Sequence, residues 1–255
     1  YFRIGKIAQE YKVDEILSLQ NIIIPNTDIP QTLYLHQSLP FVERKFSMTE
    51  NFTFWIYQNL ISILIYHSIK KSQKVIVQTI WMRDACARID GVNKNKIMVE
   101  EPKLDMSKVK KYRETAETVL FYPATALPYK NHSAIIEACK ILTNKGLSNY
   151  KVIFTITGDE NSLAKKIKKT ADNFKLPVIF VGNMQREDVF ELYSKSILIF
   201  PSYVETLGLP LVEAKLAECP IIAADTVFAR EILSSYDKVV FFEYSDYEEL
   251  AVLLL

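Results

Sequence analysis

The sequence predicts an α/β protein built on parallel sheets. Three observations point there. Short β-branched or apolar runs alternate with longer segments of helical period, in the C-terminal half every such run is followed by one helical segment, and the alternation is that of βα units. The 255 residues are 49% hydrophobic, 24% charged and 12% aromatic, which excludes a disordered tail, a collagen and a small disulfide scaffold. A chain of this length forms one large domain or two of about a hundred residues, and either buries a proper core.

The elements follow in order. Glu15–Ser18, Thr32–His36, Lys74–Val77 and Lys96–Val99 read as strands of a first α/β unit, with helices at Phe52–Ser68 and Ile80–Arg88. The polar stretch Glu100–Glu117 is the junction, and its charge run Lys108–Glu114 reads as a solvated helix face or a linker. Beyond it, strands are expected at Val119–Tyr122, Lys151–Thr157, Val178–Val181, Ile197–Phe200, Ile221–Ala223 and Val239–Phe242. Together they describe a doubly wound, Rossmann-like domain, in which ligands sit beyond the carboxyl ends of the strands. The chain opens on Tyr1 and Phe2, without an initiator Met or a leader pattern, and stops at Leu255 inside an apolar helical pattern. A fragment cut at both ends is expected.

Composition narrows the partners. With 31 Lys plus Arg against 30 Asp plus Glu, the net charge is +1, and no broad basic field exists to collect nucleic acid. Cys86, Cys139 and Cys219 form no CxxC pair, which argues against a disulfide framework and a zinc cluster and fits a reducing cytosol. The most apolar stretch, Phe52–Tyr66, is interrupted by polar residues and falls short of the roughly twenty apolar residues of a membrane span. It is read as a core helix; the alternative is an interfacial helix in peripheral contact with a membrane, with Lys70, Lys71 and Lys74 beside it. His67, on this helix, is read as packing, and His132 as a helix-start residue.

The sharpest local signal is Phe200–Ala214, a strand end, a loop and a helix start, with Glu205 and Glu213 eight positions apart. Pro210 suits a first helical turn, and Gly208 before it allows a ligand close to the backbone. A helix N-terminus there offers unpaired N–H groups to phosphate or diphosphate. Glu205 and Glu213 would reach to either side of that anion and accept from hydroxyl-rich groups, which suits a nucleotide sugar. The alternative is that Glu205 caps the helix and Glu213 is a surface residue.

This segment resembles the E-x7-E signature of the retaining nucleotide-sugar glycosyltransferases of glycosyltransferase family four (group 1 type), and the LHQSLPF-type segment around His36 resembles their bacterial surface-polysaccharide branch. The resemblance covers nearly the whole chain and implies a GT-B architecture of two Rossmann-like domains. Residues 1–105 would be an incomplete N-terminal acceptor-side domain, and residues 106–255 a C-terminal donor-binding domain lacking its last helices. It implies that Glu205 contacts the donor sugar and Glu213 the ribose hydroxyls, with backbone amides of Thr206, Leu207 and Gly208, beside Leu209, at the phosphates. Lys130 in Pro128–His132 would pair with the diphosphate and stabilise its developing charge. The family commonly has an Arg earlier in that loop, where Ala124, Thr125 and Ala126 stand here. Gly182, Asn183 and Met184 would lie along the nucleobase, Gly158 matches a strand-end position of the same layer, and His36 would lie near the transferred sugar.

The expected activity is transfer of a sugar from a UDP- or GDP-type donor to a glycan or lipid-linked acceptor, with retention, in capsule or lipopolysaccharide biosynthesis. No DxD is present, so a metal-independent reaction without cofactor is expected. The location expected is the cytoplasm, at the inner face of the cell membrane if the acceptor is lipid-linked. The rivals are a catalytically incomplete nucleotide-sugar-binding module, a GT-B epimerase or phosphorylase, and a periplasmic sugar-binding protein.

Overall fold

The computed structural model describes residues 3–105, 107–147 and 149–254, and the chain divides into two compact units. Tyr1, Phe2 and Leu255, on which the reading of the chain ends rested, lie outside the described residues, as does Met106 at the expected domain boundary.

The first unit holds Tyr1–Lys103 together with Val204–Leu207. Its elements are α1 (Ile4–Glu10), β1 (Ile16–Ser18), β2 (Gln31–Tyr34), α2 (Phe52–Ile56), a π-helical turn at Tyr57–Ile61, α3 (Ser62–Lys71), β3 (Lys74–Val77), α4 (Ile80–Ala87) and β4 (Ile97–Val99). The four strands form one parallel sheet in the order β1-β2-β3-β4. Val75 and Val77 of β3, Leu33, Leu35, Ile65, Ile69 and Met82 make its core. Parallel strands covered on both faces read as continuous apolar runs, and Val75–Val77 of β3 is one.

The second unit holds Leu104–Tyr203 and Gly208–Leu255. It runs β5 (Thr118–Tyr122), α5 (His132–Asn144), β6 (Tyr150–Phe154), α6 (Ser162–Asn173), β7 (Val178–Phe180), α7 (Arg186–Tyr193), β8 (Ile197–Phe200), α8 (Leu209–Leu216), β9 (Ile221–Ala224), α9 (Val227–Ile232), β10 (Val239–Phe242) and α10 (Tyr247–Leu253). All six strands are parallel, in the order β10-β9-β8-β5-β6-β7. β5, β8 and β9 are buried almost throughout, as their apolar runs require.

Several expectations change. The helix expected at Phe52–Ser68 extends to Lys71 and carries the π-helical turn, around which polar side chains reach back to main-chain carbonyls. Asn59 Nδ2 donates to Trp55 O at 2.8 Å and Ser62 Oγ to Gln58 O at 2.9 Å. One face, with Phe54, Ile65 and Ile69, is buried; Phe52, Leu60, Ile63 and Leu64 are exposed, and so is His67, which therefore does not pack. Among the described residues no helix is long and apolar enough to cross a membrane. The charge run Lys108–Glu114 is a linker and not a helix. Tyr112 N donates to Ala217 O at 2.7 Å and Arg113 N to Ser194 O at 2.8 Å, while Lys108 and Lys111 pair with Glu187 and Glu218. α1 lacks a sequence signal because it buries only Gly5 and Ala8.

Candidate functional site

The second sheet reverses its strand order beside β5, with β6 on one side and β8 on the other. Such a switch point leaves a crevice at the carboxyl ends of the two strands. The loops that follow β5 and β8 are tied together there: Tyr203 N and Ser202 Oγ both donate to Tyr129 O, at 3.1 and 3.2 Å. Asn131, in the left-handed region at φ 57°, links the β5 loop further by donating from Nδ2 to Tyr244 O at 2.8 Å. The buried Tyr122 hydroxyl donates to Lys130 O at 2.6 Å, so the backbone that carries Lys130 is fixed from the core.

Lys130, Asn183 and Met184 line one cavity of about 330 Å³, with Ala124, Thr125 and Thr155 on its wall. The position where the family pattern would put an Arg is thus occupied by small side chains that leave the space open. Gly182 enters the adjoining turn at φ 73°, and a Cβ there would lie 3.0 Å from Thr157 Cγ2, so only glycine fits without displacement. Gly158 is placed elsewhere. It sits at φ 91° beneath the Lys168 side chain, in a surface depression with Lys165 and Lys169, and the structure does not bring it to the Lys130 cavity.

α8 begins as its sequence requires. Gly208 is the residue before the first turn, in the left-handed region at φ 71°, Leu209 is exposed and Pro210 lies in that turn. In that turn Pro210 carries no N–H, and Leu211 N donates to Gly208 O at 2.8 Å. Glu213, within α8, is 8% exposed and is not a surface residue. Its Oε1 lies 3.1 Å from Arg186 Nη2, and its Oε2 accepts from the Tyr193 hydroxyl at 3.3 Å. Burial raises the pKa of this carboxyl, against the smaller pull of the Arg186 charge and the Tyr193 hydrogen bond. Burial likewise holds the Tyr193 phenol well above its usual range. Neither Arg186 nor Tyr193 was singled out in the sequence. The available signal was chemical: a carboxylate packed inside an apolar helix needs a counter-charge.

In the first unit, His36 is exposed at the end of β2. Its amide donates to Asn21 Oδ1 at 2.8 Å, and Asn21 Nδ2 lies 3.3 Å from its Nε2. The β2 ladder therefore ends before His36. Val204–Leu207 belongs to this unit: Glu205 is half-buried, Leu207 is buried, and Thr206 O accepts from Thr79 Oγ1 and Trp81 Nε1, both at 2.9 Å. Glu205 does not cap α8, where Gly208 takes that position.

The three cysteines are buried and their thiols are pushed up by desolvation, to about 12 for Cys86 and Cys219 and about 11 for Cys139, as suits small core residues. His132, the first residue of α5, is buried between Tyr122 and Phe154. Among the described residues, no group of three or more His, Cys, Asp or Glu is placed to hold a metal ion.

Comparison with known proteins places this geometry. The chain is 23% identical over 206 residues to the O-antigen chain mannosyltransferase RfbU of Salmonella typhimurium, covering 80% of this chain and 55% of that protein. The chain thus spans about half the length of this curated relative. Among solved structures, it resembles Anabaena Alr3699/HepE in complex with UDP and glucose, with a TM-score of 0.73 at 16% identity, over 98% of this chain and 70% of that one. It also resembles WaaG, a glycosyltransferase involved in lipopolysaccharide biosynthesis, with a TM-score of 0.74 at 13% identity, over 98% and 70% of the two chains. An S. aureus TarM variant in complex with UDP gives 0.70 at 20% identity, over 90% and 44%. These likenesses show the GT-B fold, α/β with parallel sheets in two Rossmann-like sets. Residues 105–254 match the family described as glycosyl transferases group 1, more than half of the chain, and the chain belongs to that family.

Proposed function

We propose that this chain binds a nucleoside-diphosphate sugar in its second unit and transfers the sugar, with retention and without a metal, to a glycan or lipid-linked acceptor. The observation that carries the reading is Glu213, a carboxylate buried within α8 and held at both oxygens, in the helix whose N-terminal end is shaped by Gly208. A desolvated, fixed acceptor on this helix suits the two hydroxyls of a ribose, and the helix end suits the phosphates.

In this reading Lys130 and the amides around Gly208 hold the diphosphate, and Asn183 and Met184 lie along the base. Glu205 and His36 orient the sugar. The C1–O bond to the diphosphate breaks, the acceptor hydroxyl oxygen bonds to C1 on the same face, and its proton leaves with the diphosphate. Lys130 stabilises the negative charge gathering on the leaving oxygen. Residues 1–105 would then serve the acceptor and residues 106–255 the donor. Similarity to an O-antigen chain mannosyltransferase and to WaaG, a glycosyltransferase involved in lipopolysaccharide biosynthesis, supports a place in surface polysaccharide assembly.

The test is thermal stabilisation of the chain by UDP, GDP and ADP and by their common sugar conjugates, beside Glu213→Ala. A ligand that binds only the native state raises its stability with the logarithm of concentration over Kd. The reading expects one nucleotide family to stabilise the chain and the variant to lose the effect. Stabilisation by none of them, from a folded sample, contradicts it. Binding of the donor without transfer to any acceptor would favour the binding-module alternative.

A further inference from the structure

Glu213 has both carboxylate oxygens engaged by one neighbouring helix, α7: Arg186 at Oε1 and Tyr193 at Oε2. A carboxylate oxygen accepts about two hydrogen bonds, so each keeps one acceptor site, a match for two adjacent hydroxyls. The two ends of the ion pair differ in setting. The Glu213 side chain is 10% exposed and that of Arg186 is 45% exposed. The guanidinium is also seated over the Phe190 ring, 5.5 Å from its centroid, and Phe190 is buried. An exposed pair on a helix surface contributes little. Here one partner is buried, and removing the other leaves a desolvated charge behind.

We propose that Arg186 is a positioning residue for the donor nucleotide: it holds Glu213 as a fixed, charged carboxylate ready to accept the ribose hydroxyls. The proposal rests on the ribose reading of Glu213. No other charged side chain takes this part among the described elements around α8. β9 carries no ionisable residue, Arg230 of α9 is bound to Asp225 through two hydrogen bonds, and Lys215 of α8 itself donates to Ile232 O. Glu231 of α9 has the wrong sign, and Cys219, beyond α8, donates to Ser196 O. Burial drives the Glu213 carboxyl toward its neutral form, and the Arg186 charge opposes this.

The experiment follows the Glu213 side-chain carboxyl by carbon NMR across pH, assigned with Glu213→Gln, in the native chain, Arg186→Met and Arg186→Lys. The affinities of UDP, GDP and ADP are measured on the same samples, and a thermal scan confirms that each is folded. The proposal expects Arg186→Met to move the Glu213 titration to higher pH. It expects the nucleotide that binds best to weaken on the order of tenfold at pH 7, more at pH 6 than at pH 8, and Arg186→Lys to recover most of both. An unmoved titration in Arg186→Met overturns the proposal even if Glu213→Gln abolishes binding, which leaves the ribose reading intact. A moved titration with undiminished nucleotide affinity in Glu213→Gln overturns the ribose reading, and the nucleotide part of this proposal with it.

Discussion

Asn21 grips His36 from both sides: its Oδ1 accepts the His36 amide at 2.8 Å, and its Nδ2 lies 3.3 Å from the His36 ring Nε2. If Nδ2 donates, Nε2 is the accepting nitrogen and the proton of the neutral ring sits on Nδ1. Asn21 itself is in the left-handed region at φ 63°, so Asn21→Gly keeps the backbone and removes only the side chain. This variant is expected to change the nitrogen chemical shifts of the His36 ring and to lower sugar transfer about tenfold, by loss of one ordered contact. Nucleoside-diphosphate affinity should stay within twofold. Ring shifts identical to those of the native chain would contradict the assignment.

Gly208 is expected to tolerate no side chain. Its φ of 71° costs an L-residue about 1–2 kcal/mol, and a Cβ there would stand 3.3 Å from Leu211 Cδ1. Gly91 has nearly the same φ, 75°, with nothing within 4 Å of a built Cβ. Gly208→Ala should therefore lower the thermal midpoint more than Gly91→Ala, and only Gly208→Ala should weaken nucleoside-diphosphate binding. Equal losses in both variants would mean that the site at α8 has no special close contact.

His132 should make the chain sensitive to mild acid. Burial is the main cause that depresses its pKa to about 3, with the Lys130 charge adding to it. Neither ring nitrogen reaches a partner at full hydrogen-bond geometry, and the nearby Ala124 backbone offsets the shift only in part. The unfolded chain binds a proton near 6.5 and the folded chain does not, so this contribution is complete above 6.5 and is lost as pH falls. Between pH 7 and pH 5 the loss is about 2 kcal/mol, in a window where most carboxylates stay ionised. His132→Phe, which keeps a ring between Tyr122 and Phe154, should flatten that part of the stability curve. Parallel curves for the two proteins over this window would refute the role.

The sequence made the second unit legible because its central strands β5, β8 and β9 are buried almost throughout and read as continuous apolar runs; Ile197–Phe200 and the edge strand Val239–Phe242 are placed to the residue. The α8 start was legible from Gly208 and Pro210, whose backbone preferences are local. What stayed hidden depends on distance along the chain. Arg186 and Tyr193 meet Glu213 only through the packing of α7 on α8, and Asn21 meets His36 only because the loop before β2 folds back. The π-helical turn at Tyr57–Ile61 was hidden because apolar periodicity persists through it. Gly158 follows β6 by four residues and lines a depression with Lys165 and Lys169, a placement that depends on the packing of α6 and is not readable from the glycine alone.

The measurement closest to the central claim is a cycle between Glu213 and the ribose hydroxyls. Affinities of the native chain and Glu213→Gln are compared for the nucleoside diphosphate that binds best and for its 2′-deoxy and 3′-deoxy analogues. If Glu213 holds the ribose, removing a hydroxyl should cost the native chain on the order of tenfold or more and cost Glu213→Gln little, because charged hydrogen bonds are worth about 1.5–3 kcal/mol. Equal costs in both proteins would show that Glu213 does not touch the ribose, and the donor site would have to be sought elsewhere.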